Sequence, residues 1–284
     1  MFEASRRLRK LKRELIKELP FYPNNNETKK ELEDTHSRNL LLYYLHWKSR
    51  LIPCRKRKII YMPELTNDPR YKTLKLNIDQ LFHKVRNAEN INHCLSSKVY
   101  RNGYVSEAHK KAGKLSIWDD KDFVLNTMGY HHFHLSLDKV NNNISGRTNE
   151  LLFAQVTRDS FKAIAIFDHS VFDNSKMSEE RKRMYDIFTK YAEMFLKPGS
   201  IYIPSVIGGN GHPFHILQLS DEYSRYIYEL DPQLDDRAFV NKLYRDCNLE
   251  VPNRYEFIWS FYGLDLNLLN KKDKKEFVIR EGYI

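Results

Sequence analysis

The sequence predicts an α+β protein in which a helical N-terminal region precedes a small antiparallel sheet flanked by helices. Apolar residues recur at spacings of three and four through much of the chain before Gly129, which is typical of amphipathic helices. After Gly129 the pattern changes to short apolar runs separated by turn residues, which is typical of strands joined by hairpins. We expect three segments: a basic helical region (1–66), a helix with an antiparallel meander (67–196) and a β-rich extension (197–284).

The composition indicates a folded, basic protein. The chain has 47 Lys and Arg against 37 Asp and Glu, a formal charge of +10, and 41% of its residues are apolar. That apolar fraction argues against disorder. The positive charge makes RNA the first partner to consider, although a basic surface that contacts only solvent gives the same composition.

The cysteines and the hydropathy pattern bear on location. Cys54, Cys94 and Cys247 lie far apart without a Cys-x-x-Cys pair, which predicts reduced thiols. No apolar run approaches the ~18 residues of a membrane span, and the basic N-terminus lacks the apolar stretch of a signal peptide. We therefore expect a cytoplasmic protein that has no membrane partner.

The first predicted helix begins at the cap residue Ser5 and ends before Pro20. Its basic face either contacts solvent or grips phosphate groups. Its apolar face consists of leucines at helical spacing, namely Leu8, Leu11, Leu15 and Leu19.

A run of four basic residues follows a second predicted helix that is rich in aromatic residues. Basic side chains can bind the phosphates of single-stranded RNA while aromatic side chains stack on its bases. Alternatively, the aromatic residues belong to a core and the basic residues form a charged segment that follows it. The basic run is Arg55, Lys56, Arg57 and Lys58, and the aromatic residues are Tyr43, Tyr44 and Trp47.

Later parts of the chain contain further helix and strand signals. We expect Asp119 or Asp120 to cap a short helix that ends at Gly129. The segments 212–220 and 224–230 are predicted to be strands joined by a turn at Asp221–Tyr223. A helix within Asp235–Leu249 and a final charged hairpin are expected to complete the chain.

The stretch from Gly129 to His169 contains four of the eleven histidines and three strand-like runs. A turn rich in Asn and Gly joins the first two runs, and a tight polar turn at Arg158–Ser160 joins the last two. The simplest arrangement is a three-stranded antiparallel meander. Arg147 and His169 would then lie at strand ends, where loops leave side chains free to meet a substrate.

Alternation along the first of these strands divides its side chains between two faces. Phe133 and Leu135 share one face, which we expect to be buried. We expect the opposite face to be accessible to solvent, and its residues are Tyr130, His132, His134 and Ser136.

These residue types suit RNA cleavage by the 2′-hydroxyl group. Histidine serves as both base and acid because its unperturbed pKa is near neutrality. We expect His132 or His134 to accept the 2′-hydroxyl proton, His169 to protonate the 5′-oxygen, and Arg147 to stabilise the phosphorane. This mechanism needs no metal and no cofactor. Supporting polar groups are expected from the same strand face, at Tyr130 and Ser136.

Two other interpretations remain open. The His-x-His spacing allows both imidazoles to bind one metal ion in a metal-dependent phosphoesterase or nuclease, with His169 as third ligand, or else Asp168 or His215. Alternatively, the histidines are structural and the chain is a non-enzymatic protein that binds RNA or a protein partner.

One motif recurs along the chain. The tetrads His131–His134 and His212–His215 share the pattern His-x-Phe-His. The sequence His134-Leu-Ser-Leu resembles the His-hydrophobic-Ser/Thr-hydrophobic motif of the two-histidine phosphoesterases. The second copy has Leu217 where that family has Ser or Thr, so the chain departs from the family at that position.

The segment of about residues 119–195 also resembles the RelE-like and wider barnase/EndoU/colicin-like ribonuclease toxins. In those proteins one or two helices precede a small antiparallel sheet with basic and histidine residues on its open face. The resemblance rests on topology and residue type. It implies an endoribonuclease that acts as a toxin or anti-phage defence effector, with an antitoxin or regulatory partner.

Overall fold

A computed structural model describes residues 5–113, 120–136, 139–140, 144–145, 148–173, 177–194, 196–197, 199–200 and 206–284. Helices account for 48% of the structure and strands for 19%, which confirms the predicted α+β class.

The described helices and strands alternate irregularly along the chain. The helices are α1 (Arg6–Glu18), α2 (Asn26–Asp34), α3 (Ser37–Lys48), α4 (Pro63–Thr66), α5 (Arg70–Thr73), α6 (Lys75–Arg86), α7 (Glu107–Lys111), α8 (Phe123–Met128), α9 (Glu179–Glu193), α10 (Phe214–Leu230) and α11 (Arg237–Asp246). The strands are β1 (Phe21–Tyr22), β2 (Lys58–Tyr61), β3 (Tyr104–Val105), β4 (Tyr130–His134), β5 (Lys139–Val140), β6 (Ile144–Ser145), β7 (Glu150–Val156), β8 (Ser160–Asp168), β9 (Phe257–Tyr262), β10 (Asp265–Asn270) and β11 (Glu276–Arg280). Short 3₁₀ helices cover Asn92–Cys94, Ser97–Tyr100, His169–Phe172 and Pro232–Asp235.

The chain divides into two compact units, each assembled from segments that are distant in sequence. The first unit consists of residues 1–49, 100–121 and 214–283, and the second of residues 50–99, 122–213 and 284. The division expected from the sequence consisted of three contiguous segments. Local sequence patterns do not show which distant segments pack together, so they could not indicate discontinuous units.

In the first unit, α1 begins where the sequence predicts. The Ser5 side chain accepts a hydrogen bond from Leu8 N at 3.1 Å, and the leucines of the predicted apolar face are buried. Arg7 donates from Nε to Asp231 at 3.0 Å and from Nη1 to Asp235 at 2.6 Å. These bonds attach α1 to the segment that follows α10.

The C-terminal part of the first unit corrects one prediction. Residues 214–230 form the helix α10, whereas the sequence pattern predicted two strands and a turn at Asp221–Tyr223. The buried residues of α10 include Ile216, Ser220, Tyr223 and Ile227, at helical spacings of four and three. The predicted helix α11 and the final hairpin β10–β11 are confirmed.

The second unit contains a four-stranded sheet in the order β2-β8-β7-β4. Strands β4, β7 and β8 form the predicted antiparallel meander. Strand β2 adds a fourth strand parallel to β8. The sequence did not predict this strand, since parallel neighbours need not be close along the chain.

Both faces of this sheet are covered by helices. On one face the ring of Phe82 in α6 contacts Phe161 at 5.9 Å between centroids, and Phe161 contacts Phe133 at 5.2 Å. On the other face, α8 and α9 pack onto Phe153 and Phe167. Strands that are covered on both sides have little accessible surface on either.

Candidate active site

Strand β4 lies at the centre of the candidate site. Phe133 and Leu135 are buried at 0% and 2% exposure, as predicted. The prediction of an accessible opposite face was wrong: His134 is 6% exposed, Tyr130 is 4% exposed, and the side chain of His132 is 12% exposed. The face that alternation assigned to solvent is covered by α8, α9 and the 3₁₀ helix after β8.

His134 and His169 lie side by side. Their ring centroids are 5.5 Å apart, with His134 buried and His169 exposed. The sequence correctly placed these two histidines near each other and His169 at a strand end, but it expected His134 in the middle of its strand, whereas His134 is the last residue of the edge strand β4. One imidazole is shielded from water while the other is open to a ligand.

The turn after β8 fixes the backbone at His169. Asp168 begins the 3₁₀ helix and accepts a hydrogen bond from Ser170 N at 2.8 Å. The hydrogen bonds from Ser170 are the main cause of a lowered pKa of Asp168, and Arg70 and His169 lower it further. Asp168 is thus a carboxylate at neutral pH, beside His169.

His132 faces a carboxylate that the sequence analysis did not assign to the site. Asp122 Oδ2 lies 3.5 Å from His132 Nδ1, close enough for an ion pair when the ring is protonated. The other oxygen, Oδ1, accepts a hydrogen bond from Leu125 N at 3.0 Å and caps α8. Asp122, rather than the predicted Asp120, is the capping residue; Asp119 lies outside the described residues.

The surroundings of His132 favour its neutral form. Burial lowers its pKa, Asp122 opposes that shift without reversing it, and His169 and Arg50 lower the pKa further. A histidine with a lowered pKa is unprotonated near pH 7 and is able to accept a proton.

Phe172 fills the space beside the histidines. Its ring centroid lies 5.0 Å from that of His132 and 6.2 Å from that of His169. Phe153 contacts His132 from the sheet at 5.9 Å. These aromatic contacts shield most of the His132 ring from water, which explains why burial dominates its pKa shift.

Two arginines lie at the same end of β8 as His169. Arg70 donates to Ile166 O at 2.9 Å, and Arg183 donates to the same carbonyl oxygen. The carboxylate of Asp68 lies 2.8 Å from Arg70 and 3.6 Å from Arg183, so both guanidinium groups are ion-paired. Arg70 belongs to α5 and Arg183 to α9, far apart along the chain, so no local sequence pattern brings them together.

The remaining predicted site residues have different surroundings. Tyr130 belongs to the core, where its ring meets Phe188 edge-on at 6.0 Å. Ser136 is partly buried just after β4. Arg147 lies outside the described residues, so its role remains a prediction.

The basic run has mixed surroundings. Arg57 is 4% exposed, and it donates to Thr157 O at 2.7 Å and to Pro53 O at 2.9 Å, so it stabilises the local backbone rather than facing a ligand. Lys56 and Lys58 are exposed, and Arg55 is partly buried. Contact of these residues with RNA remains a prediction.

The aromatic residues that precede the basic run favour the alternative interpretation. Tyr44 and Trp47 are 2% and 8% exposed in the first unit. Tyr44 donates to Glu18 Oε2 at 2.6 Å. Both rings therefore belong to a core and are not available to stack on bases.

The geometry also bears on the metal and repeat interpretations. Among the residues that the structure describes, no three His, Cys, Asp or Glu side chains are arranged to hold a metal ion. His131–His134 lies in strand β4, whereas His212–His215 extends into the start of α10, so the two tetrads are not a structural repeat. His215 contacts Tyr283 Oη at 3.2 Å through Nε2.

Comparisons with known proteins add no assignment. No protein-family model matches the sequence, and no curated protein or solved structure is detectably similar to it. Within the described ranges, every helix is too short or too polar to cross a membrane.

Proposed function

We propose that this chain is a metal-independent endoribonuclease that acts as a toxin or anti-phage defence effector. His132 or His134 removes the proton from a 2′-hydroxyl, and the resulting oxygen attacks the adjacent phosphorus. His169 donates a proton to the 5′-oxygen as its bond to phosphorus breaks. The products carry a 2′,3′-cyclic phosphate and a 5′-hydroxyl, and no oxidant, reductant or metal is consumed.

The contact between buried His134 and exposed His169, with His132 close by, is the observation that supports this proposal. General acid–base catalysis needs a proton acceptor and a proton donor within reach of the same phosphodiester group, and these histidines lie close enough together to share the two roles. The lowered pKa of His132 leaves its ring unprotonated at neutral pH, which a general base requires. The exposed position of His169 suits a group that must reach a leaving oxygen.

The transition state also needs a cation. We assign this role to Arg147, as the sequence suggests, since Arg70 and Arg183 are ion-paired with Asp68. A bidentate guanidinium group suits the two equatorial oxygens of a phosphorane.

The cellular role follows from the charge of +10 and from the resemblance of residues 119–195 to ribonuclease toxins. RNA is then the substrate, and an antitoxin or other regulator is the expected protein partner. Growth arrest on expression, relieved by substitution of His169, is the corresponding cellular phenotype.

The test is cleavage of a mixed-sequence RNA in EDTA. His132→Gln, His134→Gln, His169→Ala and Arg147→Ala are each expected to reduce the rate by about 10²–10⁴-fold, since each removes a proton transfer or a charge contact. The variant among His132 and His134 with the larger loss identifies the base.

The matched control is His83→Ala, because His83 lies on α6 and its side chain is 72% exposed. It should cleave at the wild-type rate. Activity that disappears in EDTA and returns with zinc or manganese would establish the metal-dependent interpretation instead. If folded wild-type protein neither cuts RNA nor arrests growth, the enzymatic proposal fails.

A further inference from the structure

A groove in the first unit is lined mainly by basic side chains. It lies beside α1, β1 and α2 and encloses about 940 Å³. The basic residues that line it are Arg9, Lys12, Arg13, Lys17 and Lys29. Glu33 is the one acidic residue among its described lining, so the groove has a strong excess of positive charge.

The cations of α1 form a row along one edge of the groove. From Arg9 to Lys17 the helix advances about 12 Å, at ~1.5 Å per residue. The row is therefore long enough for several backbone phosphates and not only for one. Lys12 is fixed by donation to Glu33 O at 2.5 Å, whereas Arg13, Lys17 and Lys29 have exposed side chains.

The burial of α1 argues against a membrane as the partner. A basic amphipathic helix binds a bilayer by inserting its apolar face. The apolar face of α1 is in the core, where Leu8, Leu11 and Leu15 are 2–3% exposed. Only the cationic face is left for a partner, and it suits a ligand that presents a run of anionic groups.

The lining also contains apolar surface between the cations. Phe21, from β1, and Ile16, from α1, contribute to the groove, and Phe21 is partly exposed. An aromatic ring flanked by Lys and Arg is the arrangement with which proteins stack unpaired bases while binding the adjoining phosphates. A duplex hides its bases, so this lining favours a single strand.

We propose that this groove binds single-stranded RNA, with Arg13, Lys17 and Lys29 on the phosphates and Phe21 stacked against a base. The inference rests on the proposed function in that it names the substrate class of the endoribonuclease. The binding itself does not require the histidines.

The test uses two variants of the full chain and a 2′-O-methyl RNA 12-mer, which binds but lacks the nucleophilic hydroxyl. Each phosphate contact on a single strand contributes about −0.7 to the slope of log K against log salt. Arg13→Gln/Lys17→Gln/Lys29→Gln should therefore flatten the slope by about 2 and weaken binding about tenfold or more at moderate salt. Phe21→Leu should weaken binding by about fivefold or more and leave the salt slope unchanged, since stacking involves no charge.

The matched control is Lys111→Gln/Lys242→Gln/Lys275→Gln, which removes the same charge from exposed positions of the same unit. It should bind with nearly wild-type affinity and salt slope. Glutamine has a helix propensity close to that of Lys and Arg, and circular dichroism will show whether each variant is folded. Truncation of residues 1–19 is not informative, because it removes the buried leucines of α1.

Three results would overturn the inference. If the triple variant of the groove (Arg13, Lys17 and Lys29) and the control triple variant weaken RNA binding equally, net charge alone attracts RNA. Equal effects of the groove triple on inorganic polyphosphate and RNA, with no effect of Phe21→Leu, would indicate a general polyanion surface or a docking site for an acidic protein. Tighter binding of double-stranded RNA would exclude stacking. Binding without any cleavage of unmodified RNA would refute the proposed enzyme and leave the groove assignment standing.

Discussion

His132 illustrates how a side chain can be assigned to the correct face and still have unexpected surroundings. Alternation along β4 correctly places His132 and His134 opposite Phe133. The same alternation cannot indicate whether a helix covers that face. Here Phe172 and Phe153 surround His132, so its ring is largely desolvated.

This desolvation predicts a pH-dependent stability. The pKa of His132 is lowered in the folded state, so the unfolded chain takes up a proton near the ordinary value of about 6.5 while the folded chain does not. The free energy of unfolding should therefore fall as the pH drops from about 7 through 6.5 and below. His132→Phe should make this dependence shallower, as measured by urea unfolding at several pH values.

His83→Phe is the control for that comparison, because His83 is exposed and should leave the dependence on pH unchanged. Parallel curves of unfolding free energy against pH for wild type and His132→Phe would contradict the account of His132 as a desolvated neutral imidazole.

Residue type also proved an incomplete guide in the basic run. Arg55, Lys56, Arg57 and Lys58 are equivalent as sequence, yet Arg57 is buried and bonded to carbonyl oxygens while Lys56 and Lys58 are exposed. The partner of Arg57 is Thr157 O, one hundred positions away, and no local pattern identifies it.

Helix α8 connects local sequence to the candidate site. Its cap, Asp122, uses one oxygen to begin the helix and turns the other toward His132. The sequence correctly predicted a short helix ending at Gly129, whose φ of 72° suits a glycine. It placed the cap too early, because several aspartates lie close together before the helix.

We predict that Asp122→Asn removes the negative charge that faces His132 and keeps the helix cap of α8. Asparagine caps helices about as well as aspartate, so the free energy of unfolding should change by less than about 1 kcal/mol. The pKa of His132 should fall further, because Asp122 raises it. If His132 is the base, cleavage should decrease by about 10²-fold or more, because Asp122 no longer orients a catalytic histidine.

Asp122→Ala serves as the comparison, since it removes both the charge and the cap and should cost about 1 kcal/mol more. An NMR titration of the His132 ring provides the decisive measurement. If His132 titrates identically in wild type and both variants, Asp122 caps α8 and has no influence on the histidine.

In helix α10 the strand propensity of single residues led to the wrong secondary structure. Residues 214–230 contain three Tyr, two Ile and one Phe, which favour strands when considered one by one. The buried positions Ile216, Tyr223 and Ile227 follow helical spacing, and packing along one stripe decides the structure. Strong periodicity over many residues is a better guide here than residue type.

At the scale of the whole molecule, the two compact units decide which segments of the chain pack together. Each is assembled from discontinuous segments, so the basic helix α1 belongs with residues beyond 213, while the basic run 55–58 belongs with the histidine strand. The meander, the α+β class and the pairing of His134 with His169 follow from local patterns. The ion-paired arginines, the covering of the sheet and the groove depend on long-range packing.

The most direct measurement is the chemistry of the cleavage products. The substrates are DNA oligonucleotides that each contain one ribonucleotide, with a different base in each oligonucleotide. Each substrate therefore has one 2′-hydroxyl group that can act as the nucleophile. We predict cutting only at the 3′ side of a ribonucleotide, in EDTA, with mass spectrometry showing a 2′,3′-cyclic phosphate and a 5′-hydroxyl. Cutting of all-DNA strands, or products with a 5′-phosphate and a 3′-hydroxyl, would show that water is the nucleophile and would contradict the proposed histidine mechanism.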